Sequence, residues 1–166
     1  MRWKVQRPER SENCTYSGWA LVMKGKETMR ILLAEDDERI ASFMKRGLEA
    51  EAYEVDFASG KAQVLALTET IKYDIIIMDI FLGSDDGMDI CRMLRQRSVE
   101  IPIVIMTAKD SAVTRQASKE AGADAYLPKP FPFEDLLETI TSLQESRRSL
   151  NFEQDWSVDD PVPGKT

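Results

Sequence analysis

No histidine occurs anywhere in the 166 residues. That absence removes Ser/His and Cys/His catalytic pairs, histidine-ligated metals and any internal phosphohistidine. A phosphoryl group arriving by way of histidine must be carried by another chain. Cysteine is nearly as scarce. Cys14 and Cys91 cannot make a disulfide framework: Cys91 falls on the apolar side of an expected helix and reads as a reduced core residue, and Cys14 has no metal-ligand spacing around it. No apolar run approaches the ~18 residues needed to span a bilayer. The stretch 19–23 is too short for a signal-peptide core. Positive charge is in deficit, with 22 Lys and Arg against 29 Asp and Glu, a net charge of −7 and a pI near 4.8. This balance argues against general affinity for nucleic acid or anionic membrane. The expectation is a cytoplasmic protein with no nucleic-acid and no membrane partner.

What remains is ordinary globular material, 43% hydrophobic and 31% charged, in a length that fits one domain with modest tails. Residues 1–28 stand apart, with six basic and three acidic side chains, whereas residues 29–166 carry 16 basic and 26 acidic. The first segment shows neither helical nor strand periodicity and is read as an N-terminal disordered extension, with a functional arm as the alternative. From Met29 the pattern alternates strand and helix five times. Apolar runs cover residues 31–34, 75–78, 103–106 and 125–127, and residues 53–57 alternate apolar and polar. Near-continuous apolar runs suit strands buried on both faces of a parallel sheet; alternation suits a strand nearer the edge. Helical spacing joins Ile40, Phe43, Met44 and Leu48, then Val64, Leu65 and Leu67, then Ile90, Cys91 and Leu94. A polar helix over residues 111–121 is ended by Gly122, and Pro132 opens a last helix with Phe133, Leu136, Leu137, Ile140 and Leu143 on one face. The expected fold is α/β: a (βα)5 doubly wound, parallel, five-stranded sheet. Beyond residue 148 the composition turns acidic and Pro-containing, so 149–166 is read as a flexible tail.

Chemistry concentrates at one end of these strands. Glu35, Asp36, Asp79, Thr107 and Lys129 lie at or just past the downstream ends of four apolar runs. Strand C-terminal ends open on a single edge of a parallel sheet, where ligands bind. Three carboxylates, a hydroxyl and an ammonium on one edge suit a divalent cation and a phosphoryl group. Mg²⁺ takes hard oxygen ligands, usually one or two carboxylates with waters and phosphate oxygens. A lone Asp is more often an N-cap or a solvated loop charge, but that reading is less able to account for three carboxylates placed directly after apolar runs. Asp37 competes for the register of the acidic pair; Glu35 and Asp36 are preferred because they follow the apolar run directly. Thr107 and Lys129 are the donors placed to meet added phosphoryl oxygens.

The motifs Ile31-Leu32-Leu33-Ala34-Glu35-Asp36, Asp79 with Gly87 eight residues on, Thr107-Ala108, and Tyr126-Leu127-Pro128-Lys129-Pro130-Phe131 together resemble a response-regulator receiver domain of bacterial two-component signalling. The resemblance covers residues 29–148. It implies a flavodoxin-like, chemotaxis-regulator-like fold with strand order 2-1-3-4-5. It implies that Asp79 is the phosphoacceptor, and that Asp36, Asp79 and the Phe81 carbonyl bind Mg²⁺, with Glu35 acting partly through water. Thr107 and Lys129 would read the phosphoryl oxygens, and Tyr126 would be the switch aromatic that follows Thr107. The partners implied are a sensor histidine kinase or histidine phosphotransfer protein and a downstream protein target. The expectation is a stand-alone regulator signalling by protein contact, not an enzyme beyond catalysing its own phosphotransfer and dephosphorylation. A degenerate receiver, acting as a phosphorylation-independent binding module, is the alternative. A hydrolase using an aspartyl phosphate would want an acid two residues after Asp79, where Phe81 stands. Two departures carry expectations of their own. Gly83 occupies a position where the family often has proline, which implies a looser loop. Thr114, Ala125 and Thr139 replace residues that are charged in the dimerising transcription-factor subfamily, which implies a monomer or a weak phosphorylation-dependent dimer.

Overall fold

Seven strands and five helices alternate along residues 28–154, the part of the chain that the computed structural model describes. They are β1 (Arg30–Ala34), α1 (Glu38–Ala50), β2 (Glu54–Ala58), α2 (Lys61–Thr70), β3 (Ile75–Asp79), the two-residue strands β4 (Phe81–Leu82) and β5 (Asp85–Asp86), α3 (Gly87–Gln96), β6 (Ile103–Thr107), α4 (Ala112–Glu120), β7 (Ala125–Pro128) and α5 (Phe133–Gln154). The five long strands form one parallel sheet in the order β2-β1-β3-β6-β7, the order 2-1-3-4-5 when those strands alone are counted. The N-terminal extension and residues 155–166 of the tail lie outside the described residues.

The sheet's centre is buried on both faces because β1, β3 and β6 are apolar at successive positions, whereas the edge strand β2 alternates. Side chains alternate faces along a strand. Ile31, Leu33, Ile75, Ile77, Val104 and Met106 therefore meet α1 and α5 through Ala41, Met44, Leu48, Leu136 and Ile140. Leu32, Ile76, Met78 and Ile105 meet the other layer through Val64, Ile90, Cys91 and Leu94. Each fully buried Leu or Ile contributes about 1.5–3 kcal/mol, so the three central strands are a major source of stabilisation. Cys91 is a fully buried, free thiol.

Helical spacing overstated some of the inward faces. In α1 the buried residues are Ala41, Met44 and Leu48, while Ile40 and Phe43 flank that stripe and are exposed, Phe43 to 63%. In α2 only Val64 is fully buried, with Leu65 and Leu67 partly so. Pro132 immediately precedes α5, and the helix runs to Gln154, past the boundary expected at residue 148. Once its first turns are anchored on the sheet, each further residue adds a backbone hydrogen bond at little cost. Neither proline nor glycine interrupts the chain between Pro132 and Pro161.

Three helices end alike. After α4, Gly122 sits at φ +96°, its N–H bonded to the Lys119 carbonyl and that of Ala123 to the Ser118 carbonyl. This is the Schellman arrangement that glycine favours. The same pair of bonds closes α1 and α3, but there the left-handed residues are Ala52 (φ 65°) and Ser98 (φ 58°).

The loop after Asp79 is not loose. β4 and β5 pair antiparallel, Phe81 opposite Asp86 and Leu82 opposite Asp85, around the tight turn Gly83-Ser84. Gly83, at φ +63°, takes the first central position of that turn, which favours glycine in two-residue hairpins. Leu82 drives its side chain into the core. Glycine here makes a hairpin possible where proline would stiffen an open loop.

Candidate functional site

Parallel register places the downstream ends of β1, β3, β6 and β7 on one edge, with Ala34 beside Met78, Asp79 beside Met106 and Thr107 beside Pro128. Glu35, Asp36, Asp79, Thr107 and Lys129 all lie at that edge. Glu35 is held by its N–H to the Ala58 carbonyl and is almost completely buried. Asp79 is the last residue of β3 and is 7% exposed; Thr107, last in β6, is fully buried. The Lys129 N–H donates to the Thr107 carbonyl at 2.7 Å, which brings the lysine back over the edge. The Lys129–Pro130 peptide is cis.

Lys129 Nζ lies between two carboxylates, 2.8 Å from Glu35 Oε2 and 2.5 Å from Asp79 Oδ2. Burial alone would push the lysine pKa down, but the bonds to Asp79 and Glu35 outweigh it and raise it, so the ammonium stays charged. Burial pushes the Glu35 carboxyl up, opposed by Lys129 and by the Asp37 N–H. Asp79 Oδ1 accepts from the Phe81 N–H at 3.0 Å, which folds the following backbone around the carboxylate. Gly87 completes this enclosure. Its N–H bonds to the Ile80 carbonyl, and a Cβ at this position would lie 2.2 Å from the Asp79 carbonyl oxygen. The Gly87 spacing seen in the sequence is therefore a steric requirement of the backbone beside Asp79.

The two remaining acids divide their work. Asp37 is the N-cap of α1, accepting from the N–H groups of Arg39 and Ile40 and pairing with the Arg39 guanidinium. Those bonds hold its carboxyl down to about 2, the Arg39 side chain contributing most. Asp36 is exposed and its carboxylate has no bond to any described residue. Among the described residues no three carboxylates are gathered in ligand geometry; Lys129 lies between Glu35 and Asp79. The donor chemistry still fits Mg²⁺: Asp36, Asp79 and the Phe81 carbonyl are hard oxygens, and this ion needs only one or two carboxylates while keeping several waters.

A model of the response regulator receiver domain matches residues 31–141. The chain belongs to the response-regulator receiver family of two-component signalling. Among its relatives, response regulator MprA of Mycobacterium leprae is 37% identical over 115 residues, covering 69% of this chain and 50% of the relative; MprA of Mycobacterium avium is 36% identical over the same shares. The chain thus spans about half the length of the curated relatives it matches. Of solved structures, a CheY-like receiver domain from Methanospirillum hungatei shares 32% identity with a TM-score of 0.68, covering 74% of this chain and 98% of that one. The receiver domain of Francisella response regulator 1452 shares 29% identity with a TM-score of 0.69, over 72% and 99%.

In this receiver, Tyr126 lies one element away from the acidic edge. Its hydroxyl donates to the Lys109 carbonyl at 3.1 Å, and the Arg115 guanidinium stacks 5.3 Å from its ring centre while also bonding Asp110. Lys109 in turn donates its N–H to Thr107 Oγ1, so a backbone step joins Thr107 to Tyr126. Sequence reading missed Arg115 and Asp110, and it missed the pairing of Asp85 with Lys61. Nothing local marks such pairs; the contacts exist only once the loops are packed. Among the described residues, no helix is long and apolar enough to cross a membrane.

Proposed function

We propose that this receiver accepts a phosphoryl group on Asp79 from a histidine-borne donor in a Mg²⁺-dependent reaction and signals by protein–protein contact. The observation that carries the reading is the Lys129 ammonium bound to both Glu35 and Asp79 at the edge where Thr107 also emerges. An Asp79 oxygen forms the new O–P bond as the donor's P–N bond breaks, and the imidazole leaves with the bonding pair. Asp36, Asp79 and the Phe81 carbonyl would hold the cation, whose charge would offset that of the phosphoryl oxygens. The product carries more negative charge and more acceptor oxygens than the carboxylate it replaces. Lys129 then keeps a partner on the modified Asp79, and the Thr107 hydroxyl turns toward the added oxygens. Movement of Thr107 reaches Lys109, and through it the hydroxyl of Tyr126. Output accordingly runs through the face made by α4, β7 and α5.

The donor's footing is the apolar groove beside Lys129, about 420 Å³, lined by Ile40, Phe43, Ala108, Pro130 and Phe133. Phe43 meets Phe133 edge to face at 6.5 Å. Lys129, which bonds Asp79, also lines this groove, so the groove adjoins the site a donor has to reach. These 166 residues hold no histidine, so a histidine-borne phosphoryl group comes from outside them, as from a kinase or phosphotransfer protein.

Labelling by acetyl phosphate and by a phosphorylated histidine protein tests the reading. Wild type takes label from both, Asp79→Asn from neither, and Phe43→Ser is slowed only with the protein donor. Substantial labelling of Asp79→Asn would move the acceptor elsewhere.

A further inference from the structure

The hairpin after Asp79 is fastened at three points, and one of them has no explanation in local structure. Phe81 N–H bonds back to Asp79, and Asp86 is the N-cap of α3, accepting from the Met88 N–H at 2.8 Å. Between them Asp85 reaches 24 residues back along the chain. Its Oδ2 accepts the Lys61 N–H at 2.9 Å, and its Oδ1 lies 3.6 Å from Lys61 Nζ. Lys61 is the first residue of α2, whose own N-cap, Gly60, offers no side-chain bond. A helix begins with N–H groups that lack partners and with a partial positive charge. Asp85 meets both requirements from another part of the fold, and its side chain is only 27% exposed.

We propose that Asp85 is a positioning residue for the Phe81 carbonyl. By tying the hairpin to the start of α2 it fixes the backbone oxygen that lies two residues beyond the phosphoacceptor. The pairing geometry supports this: Asp85 faces Leu82, the residue after Phe81, so a shift at Asp85 is transmitted directly along β4. Gly83 itself packs against nothing, since even a Cβ at that position would meet nothing within 4 Å. The restraint must therefore come from the ends, through Leu82 in the core and Asp85 on α2. The inference rests on the reading of this edge as a Mg²⁺-dependent phosphoryl site.

Mg²⁺ titration by calorimetry, with acetyl phosphate labelling at varied Mg²⁺, tests it on the full chain. Partners that orient a metal's ligands are commonly worth tenfold or more in affinity, so Asp85→Ala should raise the Mg²⁺ dissociation constant about tenfold and leave the maximal labelling rate at saturating Mg²⁺ nearly unchanged. Asp85→Asn keeps an oxygen to accept the Lys61 N–H and should restore most of the affinity. Lys61→Ala keeps that N–H and should bind Mg²⁺ as wild type does. Wild-type affinity in Asp85→Ala overturns the proposal. So does a lowered maximal rate with unchanged affinity. An Asp85→Asn variant as weak as Asp85→Ala also overturns it, because lost negative charge near the cation would then be the cause. These failures leave wild-type labelling and Mg²⁺ binding intact, whereas a wild type that binds no Mg²⁺ removes the proposed function and this inference together.

Discussion

Alanine in place of Gly87 should lower stability, although alanine is the better helix former by about 1 kcal/mol. Gly87 is the first residue of α3, but its Cα faces the backbone of Asp79 so closely that an added methyl would sit 2.2 Å from the carbonyl oxygen. The obstacle is main chain and cannot rotate away. Forcing extra volume into a packed site costs about 1–3 kcal/mol, so the clash should exceed the gain in propensity. Urea unfolding checks the sign, and slower labelling of Asp79 by acetyl phosphate should accompany it. The motif spacing of Asp79 and Gly87 was visible in the sequence; the reason for it was not, because the approach depends on how the hairpin returns to β3. Asp37 teaches the converse. Its place just before an apolar helical repeat marks an N-cap, and in the fold its carboxylate is occupied by α1.

Helix ends and an edge-strand cluster set two expectations at the level of elements. Ala52 holds the left-handed position that closes α1, where a Cβ is unfavourable. Ala52→Gly should therefore stabilise the protein by about 0.5–1 kcal/mol, after glycine's greater freedom in the unfolded chain is subtracted. The midpoint of urea unfolding, at unchanged slope, checks it. Between β1, β2 and the start of β3, Asp56 Oδ2 accepts from Arg30 Nε at 2.8 Å and from the Tyr73 hydroxyl at 2.9 Å. Burial pushes the Asp56 carboxyl up, but those two bonds outweigh it and hold it below its ordinary value. Burial, then the bond to Asp56, pushes the Tyr73 phenol well above its ordinary value of about 10. The signs follow from proton binding. Asp56 stabilises the fold above its unfolded pKa, and that contribution is lost as pH falls through the folded one. Tyr73 stabilises it below about pH 10, and that contribution is lost as pH rises above. Unfolding curves across pH should show both limbs in wild type; Tyr73→Phe should shrink the alkaline limb, leaving the part that Lys129 contributes, and lose part of the acid one.

Charge and surface chemistry govern the behaviour of the molecule as a whole. The net charge is −7, and the positions Thr114, Ala125 and Thr139 on the face of α4, β7 and α5 are uncharged. Two of their hydroxyls are already used inside their own helices: Thr114 bonds Ser111, and Thr139 bonds the Asp135 carbonyl. The charges that those three positions would bring to an ion-paired contact with a second copy are therefore missing, although α4 and α5 expose others, Arg115, Lys119, Glu134 and Asp135 among them. Sedimentation should find a monomer, with at most weak dimerisation when beryllofluoride mimics the phosphoryl group. A titration with duplex DNA should show no salt-sensitive complex, since cations that could displace counterions are in deficit. A stable dimer without the mimic, or a tight DNA complex, would contradict this view of the surface.

Sequence alone determined the five long strands, the helices between them and the edge on which the chemistry falls. Those features are local: a strand buried on both faces must be apolar at successive positions, and a residue just past such a run must leave the sheet at its C-terminal end. Glu35, Asp36, Asp79, Thr107 and Lys129 were all identifiable on that ground. Tertiary structure alone decided which of them touch. Lys129 lies 94 residues from Glu35 and 50 from Asp79, and no local pattern says that its ammonium will lie between those two carboxylates and not in solvent. The same holds for Asp85 at the start of α2 and for Phe43, which helical spacing assigned to the core. A helix's apolar stripe is wider than the strip its neighbours cover, so the positions of α5 and the sheet decide which residues at its margin are buried. Periodicity fixes the elements; their mutual placement, set by packing between distant segments, completes the site.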